Sequence, residues 1–484
     1  MRTKIITLAL LISCCFLSIR CEKDLARGIS SFTIPKGSSA RLSAVEESPF
    51  IKTADSATST FSIDADGASY ALMRKFISSS QQPVKDAIRS EEFMNYFTYN
   101  YSDPSDNTPI AVNGEVSSCP WTTGNKLIRI GIKGKSMPRS EYPLTNFVLL
   151  IDVSGSMQTD NKLELLKKGF IEFVNQMGIH DRIAIVTYAG NAGLVLNSTA
   201  GAFKDIIKSK IEKLKPGGGT NGEAGINLAY QIAQENFING GNNRVILGTD
   251  GDFNVGVSSQ TDLENLIISK RDQGIFLTVL GVGTDNLNEA MMEQVANKGN
   301  GNYEYIDDLQ EIKKIFIDEY SKFLTVAKDV KVQVTFNPSL VEEYRLIGYE
   351  NRVLTTNDFT DDKKDAGEIG SGQTITALYE IKPVANVNFH VVPTFTIHFR
   401  YKKAAETISN LLSLDIYDAG IGFEQASENM RFSASCVALA MYLRDSPYKG
   451  TITISKIKSW TSAAVSFDPN GYRARHLQLL STIR

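Results

Sequence analysis

Residues Asn146 to Met157 read N-F-V-L-L-I-D-V-S-G-S-M, and the architecture of the chain can be worked out from them. The first part of this stretch, Phe147 to Ile151, is five consecutive large apolar residues, which predicts a strand buried on both faces of a parallel sheet. The run ends in a carboxylate and two hydroxyls at alternate positions: Asp152, Ser154 and Ser156. An extended turn would point all three the same way at the carboxyl edge of the sheet, where open α/β sheets bind ligands. Donors that are all oxygen favour Mg²⁺ or Mn²⁺ over zinc.

Two later stretches add oxygen donors. K-P-G-G-G-T-N-G, from Lys215 to Gly222, is a glycine loop that presents Thr220 just before a helical run. R-V-I-L-G-T-D, from Arg244 to Asp250, is a second apolar strand that ends in a carboxylate. A lone D-x-S-x-S pattern is more often a turn that caps a helix. The three stretches together predict a metal site whose residues are Asp152, Ser154, Ser156, Thr220 and Asp250.

The D-x-S-x-S pattern resembles the metal-ion-dependent adhesion site of the von Willebrand factor type A (vWA) domain. The resemblance implies that a divalent cation, Mg²⁺ or alternatively Mn²⁺ or Ca²⁺, contacts some of these oxygens directly and others through water. We expect Asp152 to orient the serines and supply charge, and Ser154 and Ser156 to be direct ligands. Thr220 would be the ligand that depends on loop position, and Asp250 a ligand through water. An exchangeable position would remain for an Asp or Glu carboxylate of a partner protein.

From Leu144 to about Phe323, apolar strands alternate with amphipathic helices. This alternation predicts an α/β unit with a doubly wound, mostly parallel sheet (vWA, Rossmann-like) that is covered on both faces. Before the unit, Val112 to Val116 and Leu127 to Lys133 read as strands, and after it the apolar period changes from helical to two. Two strands alone are marginal in water. We therefore expect the flanking strands to form a discontinuous β-sandwich into which the α/β unit is inserted.

The chain accordingly divides into seven segments. In order they are a signal peptide or lipobox (1–21), a flexible tether (22–60), a helical N-terminal segment (61–106), strands of the β domain (107–143), the vWA domain (144–324), the rest of the β domain (325–402) and a helical C-terminal segment (403–484). The tether assignment rests on a stretch rich in Ser, Ala and Thr with few aromatic residues.

The first residues are typical of an export signal. Two cations precede an apolar run from Ile5 to Ile12, which is too short to span a bilayer. L-I-S-C, ending at Cys14, resembles a bacterial lipobox and predicts that Cys14 carries a lipid. Cys21, which a short acidic tract follows, is the alternative, and an ordinary signal peptide without lipid is the third possibility. We expect an exported protein of the bacterial cell envelope, anchored by lipid at the outer membrane or cell surface.

Other features are weighed and set aside. A net charge of −3 over 484 residues gives no nucleic-acid footprint. F-S-I-D-A-D-G-A-S, at Phe61 to Ser69, is similar to a phosphatase nucleophile motif, but a helix N-cap or turn is preferred because matching downstream motifs are missing. The acidic loop at Asp361 to Asp365 reads as a calcium site or, preferably, as a solvated loop. Cys119 and Cys436 could form one disulfide in an oxidising compartment.

Longer stretches resemble the YfbK-like family of bacterial vWA proteins, which are often lipoproteins. They are S-I-D-A-D-G-A-S-Y, C-P-W, D-V-S-G-S-M, N-R-V-I-L-G-T-D-G-D-F-N-V-G, G-N-G-N-Y and R-L-I-G-Y-E-N-R. The resemblance covers residues 61–484. It implies the fold and the metal site, and it implies no particular activity.

Three classes of function follow. The leading one is a lipid-anchored module that binds a protein partner through a divalent cation. The alternatives are a metal-assisted hydrolase and a structural envelope component whose ion serves only folding. The first is preferred to the hydrolase because no general base and no G-x-S-x-G elbow accompany the oxygen donors, so we expect a protein that is not an enzyme. The oligomeric state is not readable from the sequence.

Overall fold

The computed structural model describes residues 46–63, 66–251, 253, 260–284, 287–385, 391–404 and 406–483. The predicted signal segment, both candidate lipidation cysteines, Cys14 and Cys21, and most of the predicted tether lie outside the described residues. Within the described ranges, no helix is both long enough and apolar enough to cross a bilayer.

The N-terminal part begins in a β-sandwich. Its elements are β1 (Ile51–Lys52), β2 (Thr58–Ser62), α1 (Ala68–Ser78), α2 (Ser90–Asn95), β3 (Ile110–Ser118) and β4 (Lys126–Gly134). From sequence we assign residues 22–60 to a tether; the structure instead places β1 and most of β2 in that range, each paired with a strand from the second half of the chain. Strands this short carry too little alternation to be visible in the sequence.

The central unit is a six-stranded sheet with the order β10-β9-β8-β5-β6-β7. The strands are β5 (Thr145–Asp152), β6 (Arg182–Tyr188), β7 (Ala192–Ala200), β8 (Asn242–Thr249), β9 (Ile275–Gly281) and β10 (Tyr303–Tyr305). All neighbours are parallel except β6 and β7. We do not predict β7 from the sequence, because its apolar run, Leu194 to Leu196, is only three residues long, and none of its residues is buried.

Helices cover both faces of this sheet. They are α3 (Leu163–Gln176), α4 (Lys204–Glu212), α5 (Gly222–Glu235), α6 (Gln260–Asp272), α7 (Glu289–Lys298) and α8 (Leu309–Lys313). Every residue of β5 is buried, and its side chains alternate between two apolar cores: Val148 and Leu150 belong to one, and Phe147, Leu149 and Ile151 to the other. A continuous apolar run is therefore what this position requires.

The sandwich is completed after the central unit. Its later strands are β11 (Thr325–Phe336), β12 (Val341–Ile347), β13 (Val353–Leu354), β14 (Gly367–Gly370), β15 (Thr374–Pro383), β16 (Phe395–Lys403) and β17 (Asn410–Ile416). One sheet has the order β1-β12-β15-β4-β3 and the other β13-β2-β11-β16-β17, with β14 paired to β11. The strand β17 lies where we expect the helical C-terminal segment to begin. The helices α9 (Glu428–Arg444), α10 (Ile454–Ser462) and α11 (Tyr472–Thr482) end the chain.

The predicted fold class, a doubly wound α/β unit inserted in a discontinuous β-sandwich with helical segments at both ends, is thus confirmed. The helix α1 joins the two parts. Its Ala71, Leu72 and Phe76 pack in a core of the central sheet, whereas its Tyr70 and Met73 pack in the core of the sandwich. Cys119 and Cys436 are both buried as free thiols.

Candidate metal centre

The first of the predicted ligands, Asp152, ends β5 and is fully buried. Its Oδ1 accepts the backbone N–H of Ser154 at 2.8 Å, and its Oδ2 accepts the hydroxyls of Tyr188 at 3.1 Å and Thr249 at 3.3 Å. Tyr188 and Thr249 are the last residues of the strands on either side of β5. The parallel register therefore brings three strand ends to one carboxylate.

Burial makes Asp152 unusual as an acid. Its pKa is raised to about 6: the loss of solvent is the largest cause, the negative charge of Asp250 adds to it, and the hydrogen bonds from Ser154 and Tyr188 oppose both effects. A cation beside this carboxylate would stabilise the charged form, and a divalent ion would do so most strongly. The electrostatics of Asp152 therefore fit a metal ligand.

The two serines lie next to Asp152. The Oγ atoms of Ser154 and Ser156 are 3.0 Å apart; Ser154 is buried, and Ser156 is exposed at the start of a short helical turn. One carboxylate and two hydroxyls thus form a compact oxygen cluster that opens to solvent at the Ser156 side. This donor set suits a hard divalent cation.

The backbone of the glycine loop is hydrogen-bonded to the turn that carries Ser154 and Ser156, which we call the serine turn. The N–H of Gly217 donates to the carbonyl of Val153 at 2.7 Å, and the carbonyl of Gly218 accepts the N–H of Gly155 at 3.1 Å. Gly218 has φ +95°, and a Cβ there would lie 3.2 Å from the backbone nitrogen of Gly190, so only glycine fits without strain. The loop therefore brings the half-buried Thr220, two residues further on, to the same edge of the sheet.

The fifth predicted residue, Asp250, directly follows β8 and is fully buried. Its Oδ2 accepts a hydrogen bond from the ammonium of Lys162 at 3.0 Å, and Lys162 is itself only 3% exposed. We do not find Lys162 from the sequence, because a lysine ahead of an apolar helix reads as a solvated cation. The pair is separated by 88 positions in the chain, so only the fold reveals it.

Two other candidate sites from the sequence, the D-A-D-G motif and the acidic loop, lie outside this oxygen cluster. In the D-A-D-G motif the N-cap of α1 is Gly67, not an aspartate. The buried Asp66 instead accepts the backbone N–H of Tyr303 at 3.1 Å, which ties the start of α1 to β10. From the acidic loop, Asp365 lies with Asp329 and Glu368, their carboxylate oxygens within 4.8 Å of one another. Arginine and lysine side chains already pair with Asp365 and Asp329.

Comparison with known proteins identifies the family of the central unit. A family model described as the von Willebrand factor type A domain matches residues 146–317, and one described as von Willebrand factor matches residues 37–129. The fold and this match show that the chain is built around a von Willebrand factor type A domain. A third model, described as the C-terminal part of uncharacterized protein YfbK, matches residues 321–484.

The uncharacterized protein YfbK of Escherichia coli is 38% identical over 467 residues, which cover 91% of this chain and 80% of that protein. The chain therefore belongs to the YfbK family. The uncharacterized protein sll0103 of Synechocystis is 26% identical over 207 residues, 42% of this chain and 47% of that one. A solved von Willebrand factor type A structure from Catenulispora acidiphila has 15% identity and a TM-score of 0.43, covering 79% of this chain and 89% of that one.

Proposed function

We propose that this chain is a lipid-anchored protein of the bacterial cell envelope that binds a protein partner through a divalent cation held at the candidate metal centre. The observation that carries the proposal is the compact cluster of Asp152, Ser154 and Ser156, to which the glycine loop is fastened by two backbone hydrogen bonds. The presence of a von Willebrand factor type A domain supports a role in protein–protein interaction or adhesion.

Each residue has a distinct part in the proposed centre. Asp152 supplies negative charge and, through its bond to the N–H of Ser154, sets the direction of the serine turn. Ser154 and Ser156 supply neutral oxygens, and Thr220 adds one whose position follows the glycine loop. Bound there, Mg²⁺, or alternatively Mn²⁺ or Ca²⁺, would supply a positive centre with an exchangeable coordination position. The exposed side at Ser156 would admit an Asp or Glu carboxylate of the partner.

The anchor and the location are part of the same proposal. They are supported by the cations and apolar run at the start of the chain and by the L-I-S-C sequence that ends at Cys14, with Cys21 as the alternative lipid site. A lipid on either cysteine would hold the folded part at the outer membrane or cell surface. Mass spectrometry of the membrane-extracted protein tests this: a lipid on neither cysteine removes the anchor from the proposal.

The binding function is tested with Ser156→Ala. The exposed Ser156 hydroxyl is the one whose loss should disturb the fold least. We expect the wild-type chain to retain a partner from envelope extract in Mg²⁺ and to release it in EDTA, and the variant to retain none although its melting temperature is unchanged. Ser140→Ala, which changes an exposed serine outside the centre, is the matched control and should behave as wild type.

Two results would contradict the proposal. Retention of the same partner by Ser156→Ala, or in EDTA, would show that the centre takes no part in binding. A large fall in the melting temperature of Ser156→Ala, equal to that caused by EDTA, would instead assign the ion a purely structural role.

A further inference from the structure

Lys162, the lysine of the candidate metal centre, stands at a helix position where a cation is unfavourable. Lys162 is the residue immediately before α3, at the end of the helix where N–H groups are unpaired and the helix dipole is positive. Ser, Thr, Asp and Asn are favoured at this position, and a buried cation is not. Something outside the helix must therefore stabilise the ammonium.

Asp250 provides that stabilisation. The Nζ of Lys162 lies 3.0 Å from its Oδ2, and the exposed fractions of the two side chains are 3% and 0%. A close charged pair out of water is held strongly together, whereas either partner alone would be costly to bury. The ion pair therefore contributes to keeping both charges buried in the folded protein.

The loop after β9 also contacts Lys162. Gly283, just after β9, has φ +73°, and a Cβ at this position would lie 2.4 Å from the Cε of Lys162. The aliphatic stem of the lysine thus runs against bare backbone on its way to Asp250. Gly283 and Asp250 together therefore hold the Lys162 ammonium at the carboxyl edge of the sheet.

We infer that Lys162 is a built-in cation that lowers the affinity of the centre for a divalent ion, with Asp250 as its counter-ion rather than a freely available ligand. This inference deepens the proposed function and rests on its metal centre. The ammonium offsets one of the two buried carboxylates when no ion is present, and its positive charge opposes a second cation nearby. An ion held in this way exchanges readily and keeps positive charge for a partner carboxylate.

The test measures divalent-ion affinity in the full-length chain by isothermal titration with Mg²⁺ and with Mn²⁺, and by the rise in melting temperature that each ion causes. We expect Lys162→Met to melt at a lower temperature than wild type in EDTA, because the buried Asp250 loses the charge of the Lys162 ammonium. The affinity of Lys162→Met for the divalent ion should be higher than that of the wild type by about tenfold or more. Its melting temperature should accordingly rise more steeply with ion concentration.

Three further variants separate charge from packing. Lys162→Arg keeps the charge and should keep the weak affinity of the wild type. Lys162→Gln can still donate a hydrogen bond to Asp250 without charge; it should bind the ion more tightly, and it serves if the methionine variant does not fold. Lys168→Met removes an exposed lysine from α3 and should change neither quantity.

The outcomes distinguish this inference from the proposed function. Equal or weaker ion affinity in both neutral variants overturns the role of Lys162, even if the wild type binds a partner through its ion. Ion binding that is undetectable in the wild type and measurable in Lys162→Gln would overturn the proposed function and leave this inference standing.

Discussion

At the scale of single residues, the buried carboxylate of Asp152 carries the most chemistry in the centre. Three hydrogen bonds reach it, yet burial outweighs them and raises its pKa to about 6 from the ordinary value of 3.8. The charged form of Asp152 is therefore less favourable in the folded protein than in water, and a bound cation would stabilise it.

The raised pKa of Asp152 predicts how the stability of the protein depends on pH. Because the folded pKa of Asp152 lies above its unfolded value, the native state binds more protons between pH 3.8 and about 6, so this residue's contribution to stability falls as pH rises through that window. The two pKa values set the total at about 3 kcal/mol. In EDTA, the free energy of unfolding of wild type minus that of Asp152→Asn should fall by about this amount between pH 4 and pH 7. A difference that is flat with pH would show that Asp152 titrates normally.

The oxygen donors could be predicted from the sequence and Lys162 could not. Asp152, Ser154 and Ser156 are consecutive alternate residues after an apolar run, so their type and spacing already place them together at a strand end. Lys162 and Asp250 meet only because β5, α3 and β8 are neighbours in three dimensions. Sequence spacing says nothing about a pair that the fold creates.

At the scale of elements, the glycine loop decides where Thr220 lies. The carbonyl of Gly218 is hydrogen-bonded to the serine turn, and the positive φ of this residue and its close approach to Gly190 disfavour any side chain there. Gly219, the next residue, has open space around it and no positive φ. Gly219 therefore serves as the matched control for a substitution at Gly218.

We expect Gly218→Ala to displace the loop and lower the free energy of unfolding by about 1 kcal/mol, the usual cost of a left-handed non-glycine residue. Mg²⁺ affinity, measured by titration, should fall at the same time because Thr220 moves with the loop. Gly219→Ala should change neither value appreciably. Equal effects from both substitutions would mean that general loop flexibility, rather than the position of Gly218, matters.

The helix α1 shows what an amphipathic pattern leaves undecided. Its apolar spacing predicts a helix, but the helix is apolar on two sides, and the sequence cannot say which core each side enters. The structure settles this with Arg74, which is 3% exposed and whose guanidinium donates to Asp307 and Glu311 from the central unit and to the hydroxyl of Tyr96. The N-terminal helix is therefore fixed to the α/β unit by a buried ion cluster.

Removing this cluster should be costly. Arg74→Met would leave Asp307 and Glu311 buried without their cation, and breaking a buried pair in this way costs about 3–5 kcal/mol. Urea unfolding measures the loss. Lys75→Met, the adjacent and half-buried lysine, should change the free energy of unfolding by less than about 0.5 kcal/mol. A loss below about 1 kcal/mol in Arg74→Met would show that the two carboxylates find other compensation.

At the scale of the whole molecule, the α/β unit is inserted in the sandwich but is not independent of it. It leaves the sandwich after β4 and returns to it at β11, and α1 lies between the two parts. The alternation of strands and helices predicts the insertion, since it begins and ends sharply. The sharing of α1 is not predictable, because it depends on how the two cores meet in three dimensions.

This sharing predicts that residues 144–324 are not sufficient for a stable unit. Without α1, the excised fragment exposes the core surface that covers Leu72 and Phe76, which are 2% and 6% exposed in the full chain, and burying two such side chains contributes about 4 kcal/mol. The fragment also leaves Asp307 and Glu311 without Arg74. We therefore expect it to melt well below the full chain and to bind the dye ANS. Joining residues 61–106 to its N-terminus through a flexible Gly/Ser linker should restore the melting temperature, and Arg74→Met in that fusion should remove the gain. A fragment as stable alone as in the fusion would show that α1 only covers the sheet and does not hold it together.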